Sequence, residues 1–282
     1  MGVMELDIYK KAIDDLSEFN TNIKTLKLYK DGEPLVNKKF AEMVSYAKAS
    51  HCVNIIETTT NGSLLTPQLT DKIIDAGLDR INISVYGMST EDFHQFSRAK
   101  LDFDEFVNNI RYLYRNRGNC KVHIKTTFGI SKRETIDEFY HTFGSYCDTI
   151  DVENISPFWP GYDFNPKYDL QLSDVSTFGH PLKEKLVCPY IFYALAVNSD
   201  GRVDLCSCDW THNYIIGDVR KQSLKDIWNS RQLYDERVLQ LSGQRMNHPL
   251  CSQCNEISYE SVDNIDEYSE EILQRLKKTN NQ

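Results

Sequence analysis

Four cysteines in the last third of the chain have the residue type and the spacing to hold a metal centre. Cys251 and Cys254 form a C-x2-C pair, and Cys188 and Cys206 bracket a predicted β-hairpin. A hairpin and a C-x2-C loop can bring four thiolates together, and such a set binds either an iron–sulfur cluster or a tetrahedral zinc ion. Spacing alone does not separate the two metals. Cys208 lies two residues beyond Cys206 and is interpreted as a neighbour of the centre.

The composition is that of an ordinary globular protein in a reducing compartment. The chain has 282 residues, 40% hydrophobic and 26% charged, which allows one large core or two unequal ones. It contains eight cysteines, and their clustering favours metal binding over disulfides. The scattered Cys52, Cys120 and Cys147 are interpreted as small buried hydrophobes or unused thiols.

Charge and hydropathy exclude several classes of partner. The net charge is −9, so the chain has no overall attraction for nucleic acid or for an anionic membrane surface. No apolar run approaches the roughly 18 residues that span a bilayer. The first residues lack the basic and apolar segments of a signal peptide. We therefore expect a cytoplasmic protein with no nucleic-acid or membrane partner.

The first two thirds of the chain alternate strand-like and helical segments. Strands are predicted over 23–29, 53–60, 80–86, 121–128 and 149–154, with a helix in front of the first. This alternation predicts βαβ units and a parallel sheet, either doubly wound or closed into a full or partial β/α barrel. In both architectures ligands bind at the carboxyl ends of the strands. The polar residues that collect there include Gly32, Glu33, Pro34, Thr60, Asn61, Ser84 and Lys125.

The pattern changes after residue 187. Residues 194–206 predict a hairpin that turns at Asn198-Ser-Asp-Gly201, a sequence typical of tight turns. A short helix capped by Ser223, the C-x2-C pair and a helix over about 264–278 complete the chain. This region has few apolar residues for its length, so a metal centre would supply much of its cohesion. We therefore predict two domains, 1–187 and 188–282.

These landmarks, in this order, resemble the radical SAM superfamily with a C-terminal SPASM or twitch-type extension. Asp31-Gly-Glu-Pro-Leu35 is similar to the family's GGEP-type motif, and Thr59-Thr-Asn-Gly-Ser63 is similar to its TNG turn. The four cysteines, with Gly217-Asp-Val and Ile227-Trp228 between them, are similar to the auxiliary-cluster domain. The resemblance covers essentially the whole chain.

The resemblance implies a partial (β/α)6 barrel, here lacking its first strand, and a small cysteine-rich domain with a β-hairpin and helices. It implies that Cys188, Cys206, Cys251 and Cys254 hold one auxiliary [4Fe–4S] cluster, which it favours over zinc. It also implies that S-adenosylmethionine contacts Gly32, Glu33, Pro34, Thr60, Asn61, Ser84 and Lys125. No catalytic residue is assigned.

Several of these residues also have plainer roles. Glu33 is suited to be a turn carboxylate before a helix, and Thr60 and Asn61 to close the turn after a strand. Ser84 projects from a strand in which apolar residues otherwise alternate. Lys125 lies mid-strand, where it must point outward or meet an anionic group.

One motif of the family is missing from the sequence. No cysteine precedes Cys52, so the C-x3-C-x2-C motif that holds the radical-generating cluster is absent. The chain is then either a fragment of a longer reading frame or a protein that has lost that cluster. In the first case we expect an oxidoreductase-like enzyme that modifies a small molecule, a sugar derivative or a peptide, with an electron donor such as a flavodoxin or ferredoxin. In the second we expect a non-catalytic iron–sulfur or zinc-binding scaffold or partner subunit.

Overall fold

The chain folds as two compact units, Met1–Ile155 and Ser156–Gln282. The computed structural model describes residues 2–127, 133–157, 159–161, 172–260 and 263–280. The predicted domains 1–187 and 188–282, which place the boundary where the cysteine-rich region begins, stay a prediction.

The first unit alternates helices and strands. Its elements are α1 (Leu6–Asp14), β1 (Ile23–Lys27), α2 (Phe40–Ser50), β2 (Val53–Thr60), α3 (Pro67–Asp75), β3 (Arg80–Ser84), α4 (Thr90–Ser97), α5 (Phe103–Asn116), β4 (Lys121–Thr127), α6 (Arg133–Phe143) and β5 (Thr149–Glu153). The five strands found among its described residues pair in parallel in the order β1-β2-β3-β4-β5. Connections between parallel strands are almost always right-handed, so an unbroken strand order places the helices on one face of the sheet. The sheet is therefore part of a β/α barrel, since a doubly wound sheet reverses its strand order.

Burial alternates along the central strands because successive side chains point to opposite faces. Ile81 and Ile83 of β3 and Ile124 of β4 are fully buried. Asn82 and His123, which come between them in the strands, are only partly buried. One face of the sheet is therefore the apolar core, and the other is polar.

Most of the predicted elements of this unit are confirmed. The strand predicted over 53–60 coincides with β2. Thr66 caps α3 as predicted, because its Oγ1 accepts a hydrogen bond from Leu69 N at 3.2 Å and Pro67 opens the helix. Helix α4 was not predicted from the sequence. Phe128, the last residue of the predicted fourth strand, lies outside the described residues.

The second unit contains a small antiparallel sheet and short helices. Its elements are β6 (Ala196–Val197), β7 (Arg202–Asp204), β8 (Ile215–Asp218), α7 (Leu224–Trp228), α8 (Arg231–Leu241), α9 (Glu256–Tyr259) and α10 (Ser269–Asn280). Strands β6 and β7 form the predicted hairpin, with Val197 opposite Val203. The turn closes with Gly201 N donating to Asn198 O at 2.9 Å. Strand β8 and helix α8 were not predicted.

No helix within the described ranges of the chain is long and apolar enough to cross a membrane.

Candidate functional site

The carboxylate of Glu33 links the loop after β1 to the turn after β2. Its Oε1 accepts hydrogen bonds from Thr60 Oγ1 at 2.6 Å and from Leu35 N at 3.0 Å. Its Oε2 accepts one from Asn61 N at 2.8 Å. Hydrogen bonds to an ionised carboxylate are among the stronger ones in proteins. This side chain therefore fixes the two motif loops against each other.

Two glycines shape the same loops for different reasons. Gly32 has φ +94° and Gly62 has φ +70°, a region of backbone conformation that side chains with a Cβ rarely adopt. A Cβ on Gly62 would also lie 2.9 Å from Phe106 Cε2 and 3.2 Å from Ile83 Cγ2, whereas one on Gly32 would meet nothing within 4 Å. The turn after β2 thus requires glycine for space as well as conformation.

Lys125 and Glu153 form an ion pair at the ends of β4 and β5. Lys125 Nζ lies 2.9 Å and 2.8 Å from the two carboxylate oxygens of Glu153. Lys125 therefore meets an anionic group, as one of the two sequence-based alternatives required, but the group belongs to the protein. Ser84 is its register partner on β3.

Tyr86 is a residue of this region that the sequence analysis missed. Burial raises the pKa of its phenol; the charge of Lys125 and a hydrogen bond from Ser84 oppose the shift, and the charges of Glu33 and Glu153 add to it. The phenol is therefore electrostatically coupled to residues from four strand ends. The only signal in the sequence was its place as the last residue of the strand predicted over 80–86, which the structure ends at Ser84.

The structure thus brings the predicted residues of the first unit to one edge of the sheet. The loop Gly32–Pro34 and the turn Thr60–Asn61 are joined through Glu33, and Ser84 and Lys125 are neighbours on adjacent strands. Their assignment to a cofactor stays a prediction.

The four predicted cysteine ligands lie close enough to influence one another. Burial raises the pKa of the Cys188 thiol, and the charges of Cys206, Cys251 and Cys254 add to the shift. Burial likewise raises the pKa of Cys251 to about 12, and Cys206 is the next contributor. Segments distant in sequence therefore converge on one group of thiols.

Cys208 is part of that group. A hydrogen bond from Cys208 lowers the pKa of Cys206 and lowers the pKa of Cys254 to about 7, while the pKa of Cys208 itself is raised by the same two contacts. Its backbone N–H also donates to Cys206 Sγ at 3.4 Å. We call Cys188, Cys206, Cys208, Cys251 and Cys254 the five-cysteine group.

Polar residues position the loops that carry these sulfurs. His248 Nδ1 accepts hydrogen bonds from Leu250 N at 3.2 Å and Cys251 N at 3.3 Å. Arg245 Nη2 donates to Cys254 O at 2.5 Å. The C-x2-C loop is therefore held in place by hydrogen bonds to its backbone.

The chemistry of the donors fits a thiophilic metal centre. Buried thiols placed side by side repel one another once ionised, and a bound cation removes that repulsion. In the part of the chain that the structure describes, no three Cys, His, Asp or Glu side chains are arranged so that they could hold a single metal ion. The case for a centre at the five-cysteine group therefore rests on the donor chemistry and the burial of its thiols, not on a preformed single-ion geometry.

Two family models match the chain. Residues 3–143, half of its 282 residues, match the radical SAM superfamily. Residues 188–255 match SPASM, an iron–sulfur cluster-binding domain. The second match contains the whole five-cysteine group.

Individual proteins with similarity to the chain were found as well. It is 40% identical over 67 residues to the GTP 3′,8-cyclase of Chlorobaculum tepidum, covering 24% of this chain and 20% of that protein. It is 28% identical over 142 residues to the AdoMet-dependent heme synthase of Methanosarcina barkeri, covering 50% of this chain and 38% of that protein. The matched segments thus span less than half of either relative. The crystal structure of BtrN in complex with AdoMet and 2-DOIA shares the fold, with a TM-score of 0.59, 18% identity, and coverage of 94% of this chain and 86% of that one.

We predict that Glu33→Gln destabilises the first unit by about 1–3 kcal/mol, the cost of leaving a buried donor without its acceptor. The amide would present N–H groups to Asn61 N or Thr60 Oγ1, which now donate to the carboxylate. Urea unfolding followed by circular dichroism measures the change. The matched control is Glu42→Gln, an exposed residue paired with Lys39, for which we expect a change within about 0.5 kcal/mol. Equal changes in the free energy of unfolding for the two variants would contradict the role of Glu33 in joining the two loops.

We predict that serine at position 188, 206, 251 or 254 lowers the iron content of anaerobically reconstituted protein, because each substitution removes a ligand thiolate. Cys208→Ser is expected to retain the iron, as is the control Cys147→Ser, a thiol in the first unit. Iron and sulfide analysis of the six proteins tests this ligand set. Loss of iron in Cys208→Ser with retention in Cys206→Ser would show that Cys208, and not Cys206, is the ligand.

Proposed function

The chain belongs to the radical SAM superfamily, and from that premise we propose that it is a radical SAM/SPASM oxidoreductase that modifies a small polar molecule. The observation that carries this proposal is the five-cysteine group, which lies inside the region matching an iron–sulfur cluster-binding domain. In our assignment Cys188, Cys206, Cys251 and Cys254 hold one auxiliary [4Fe–4S] cluster. Four thiolates are the usual ligand set of such a cluster.

S-adenosylmethionine, in this proposal, binds at the edge of the sheet formed by the loops after β1 and β2. The Glu33 side chain already accepts hydrogen bonds from Thr60, Asn61 and Leu35. The backbone carbonyls of Gly32–Pro34 are therefore better suited than this carboxylate to accept from the amino group of the cofactor. Ser84 and Lys125 would contact its ribose or carboxylate. The solved complex of BtrN with AdoMet, which shares the fold, supports this class of cofactor.

The polar face of the sheet favours a polar substrate. Asn82 Nδ2 donates to Thr59 Oγ1 at 3.2 Å, and Arg80 Nη1 lies 3.5 Å from the buried carboxylate of Glu57. Burial lowers the pKa of His123, which favours the neutral imidazole, a group that can both donate and accept. Amide, hydroxyl, imidazole and charged groups on one face suit a hydroxylated or amino-substituted molecule such as a sugar derivative. A peptide is the other substrate class.

The auxiliary cluster, when bound, supplies one-electron transfer. An oxidation that begins with hydrogen abstraction from the substrate leaves one electron and one proton to be removed. We propose that this electron passes to the auxiliary cluster held by the four cysteines. An electron donor such as a flavodoxin or ferredoxin would supply the reducing equivalent that starts the reaction.

The alternative function is a non-catalytic iron–sulfur or zinc-binding scaffold or partner subunit that retains the auxiliary domain. The five-cysteine group lies inside the cluster-binding match and suits this alternative as well as the enzyme.

We predict about four iron and about four sulfide per chain after anaerobic purification, with the absorption and EPR spectra of a [4Fe–4S] cluster. Iron, sulfide and zinc analysis measures this directly. About one zinc per chain without sulfide would contradict the iron–sulfur assignment and favour a zinc-binding scaffold.

The codons that precede Met1 separate the enzyme from the scaffold. If they encode an in-frame C-x3-C-x2-C, the longer protein is expected to release 5′-deoxyadenosine from S-adenosylmethionine with dithionite as reductant. An in-frame stop codon in front of Met1, together with no 5′-deoxyadenosine, would favour the scaffold.

We predict that Lys125→Gln weakens the binding of S-adenosylmethionine about tenfold or more, because a charge-assisted hydrogen bond contributes about 1.5–3 kcal/mol. Lys121→Gln is the matched control, since Lys121 lies on the same strand but is exposed and pairs with Asp148. Isothermal titration calorimetry of both variants under anaerobic conditions tests the assignment. Equal affinities of the two variants for S-adenosylmethionine would show that Lys125 does not contact it.

A further inference from the structure

Gln240 makes two contacts to cysteines from different ends of the second unit. Its side chain is almost completely buried, with 1% exposure. Its Oε1 accepts a hydrogen bond from Cys188 N at 3.1 Å, and its Nε2 lies 3.4 Å from Cys251 Sγ. One carboxamide therefore connects two predicted ligands that are 63 positions apart in the sequence.

The orientation of the carboxamide is fixed by its partners. A backbone N–H can only donate, so the atom facing Cys188 must be the carbonyl oxygen. The amino group therefore faces the Cys251 sulfur, which can accept a hydrogen bond. A buried amide costs free energy unless it is hydrogen bonded, and here the cysteine residues satisfy both ends of it.

Helix α8 holds this side chain in place independently of the cysteines. Ser230 Oγ caps the helix by accepting from Leu233 N at 3.2 Å. Arg237, one turn before Gln240, donates to Ile191 O and to Trp228 O, both at 3.0 Å. Its guanidinium also stacks 4.0 Å from the centre of the Trp228 ring. The helix is thereby tied to the segment that follows Cys188, and Gln240 projects from a rigid element.

We propose that Gln240 is a positioning residue of the auxiliary cluster, which holds Cys188 and Cys251 at their ligand positions and raises the reduction potential through an N–H···S hydrogen bond to Cys251. The inference rests on the proposed cluster on Cys188, Cys206, Cys251 and Cys254. Reduction adds negative charge to the cluster and its sulfurs, so a donor aimed at a ligand sulfur stabilises the reduced state more than the oxidised one. Hydrogen bonds to the sulfurs are an established determinant of cluster potential.

Two substitutions separate the two contacts. Gln240→Glu keeps an oxygen for Cys188 N–H but replaces the donor to Cys251 Sγ with a second oxygen. Gln240→Leu removes both contacts in a side chain of similar size. We expect both variants to lower the ratio of reduced to oxidised cluster at a fixed potential about tenfold, which is about 59 mV for a one-electron couple. Gln240→Leu should in addition retain less iron.

The measurement is an anaerobic redox titration of the cluster-loaded chain, followed by EPR of the reduced cluster, with iron determined for each sample. Leu233→Ala is the matched control: Leu233 is on the same helix, is 1% exposed, and has an apolar side chain that cannot hydrogen bond to sulfur. It should lower the thermal midpoint of unfolding but leave the potential unchanged.

The outcomes distinguish this inference from the proposed function. A wild-type chain that binds no iron–sulfur cluster would overturn the proposed function and the inference with it. A wild-type cluster whose potential is the same in both Gln240 variants would overturn the inference alone. A fall of equal size in Leu233→Ala would also overturn it, because general loosening of the helix would then explain the shift.

Discussion

The hydrogen bonds of the Glu33 carboxylate are the interaction on which the proposed site at the carboxyl ends of the strands depends. Parallel strands end in separate loops, and nothing in the sheet hydrogen bonding fixes those loops to one another. Glu33 reaches from the loop after β1 to Thr60 Oγ1 and Asn61 N in the turn after β2. Thr60 Oγ1 in turn accepts from Gly62 N at 3.0 Å. A short chain of hydrogen bonds, anchored on one charged group, thus joins the two loops into one surface.

Much of the first unit could be predicted because its local signals agree with one another. The β-branched run that forms β2, the Thr66-Pro67 helix start and the loop sequences all follow from residue type and position. What the sequence could not supply was the pairing of side chains. The contacts of Glu33 and Lys125 with a cofactor stay a prediction. Their partners within the protein, Thr60 and Asn61 for Glu33 and Glu153 for Lys125, were not evident from the sequence. Such partners come from other strands, so no local pattern contains them.

Helix α8 shows why the second unit was harder to predict. A surface helix is recognised by an apolar stripe that repeats every three or four residues. This helix buries Arg237 and Gln240 beside Leu233 and Leu241, so its inward face is partly polar and the stripe is interrupted. The four cysteines and the hairpin turn, by contrast, were evident from residue type alone. Candidate metal ligands could therefore be named from the sequence, while the polar residues that hold their loops could not.

The two sites differ in how far they depend on their ligands. At the carboxyl ends of the strands the polar side chains already form hydrogen bonds with one another. The loops of the proposed cofactor site are therefore ordered without a ligand. In the five-cysteine group, burial and neighbouring thiols raise the pKa of Cys188 and Cys251. A metal centre held by these thiols, as proposed, would displace those protons, whereas a hydrogen bond from Cys208 lowers the pKa of Cys254 to about 7. In the proposed centre, metal binding would therefore be linked to proton release and to the stability of the second unit, and among the four proposed ligands the protons to be released lie on the two cysteines that Gln240 connects.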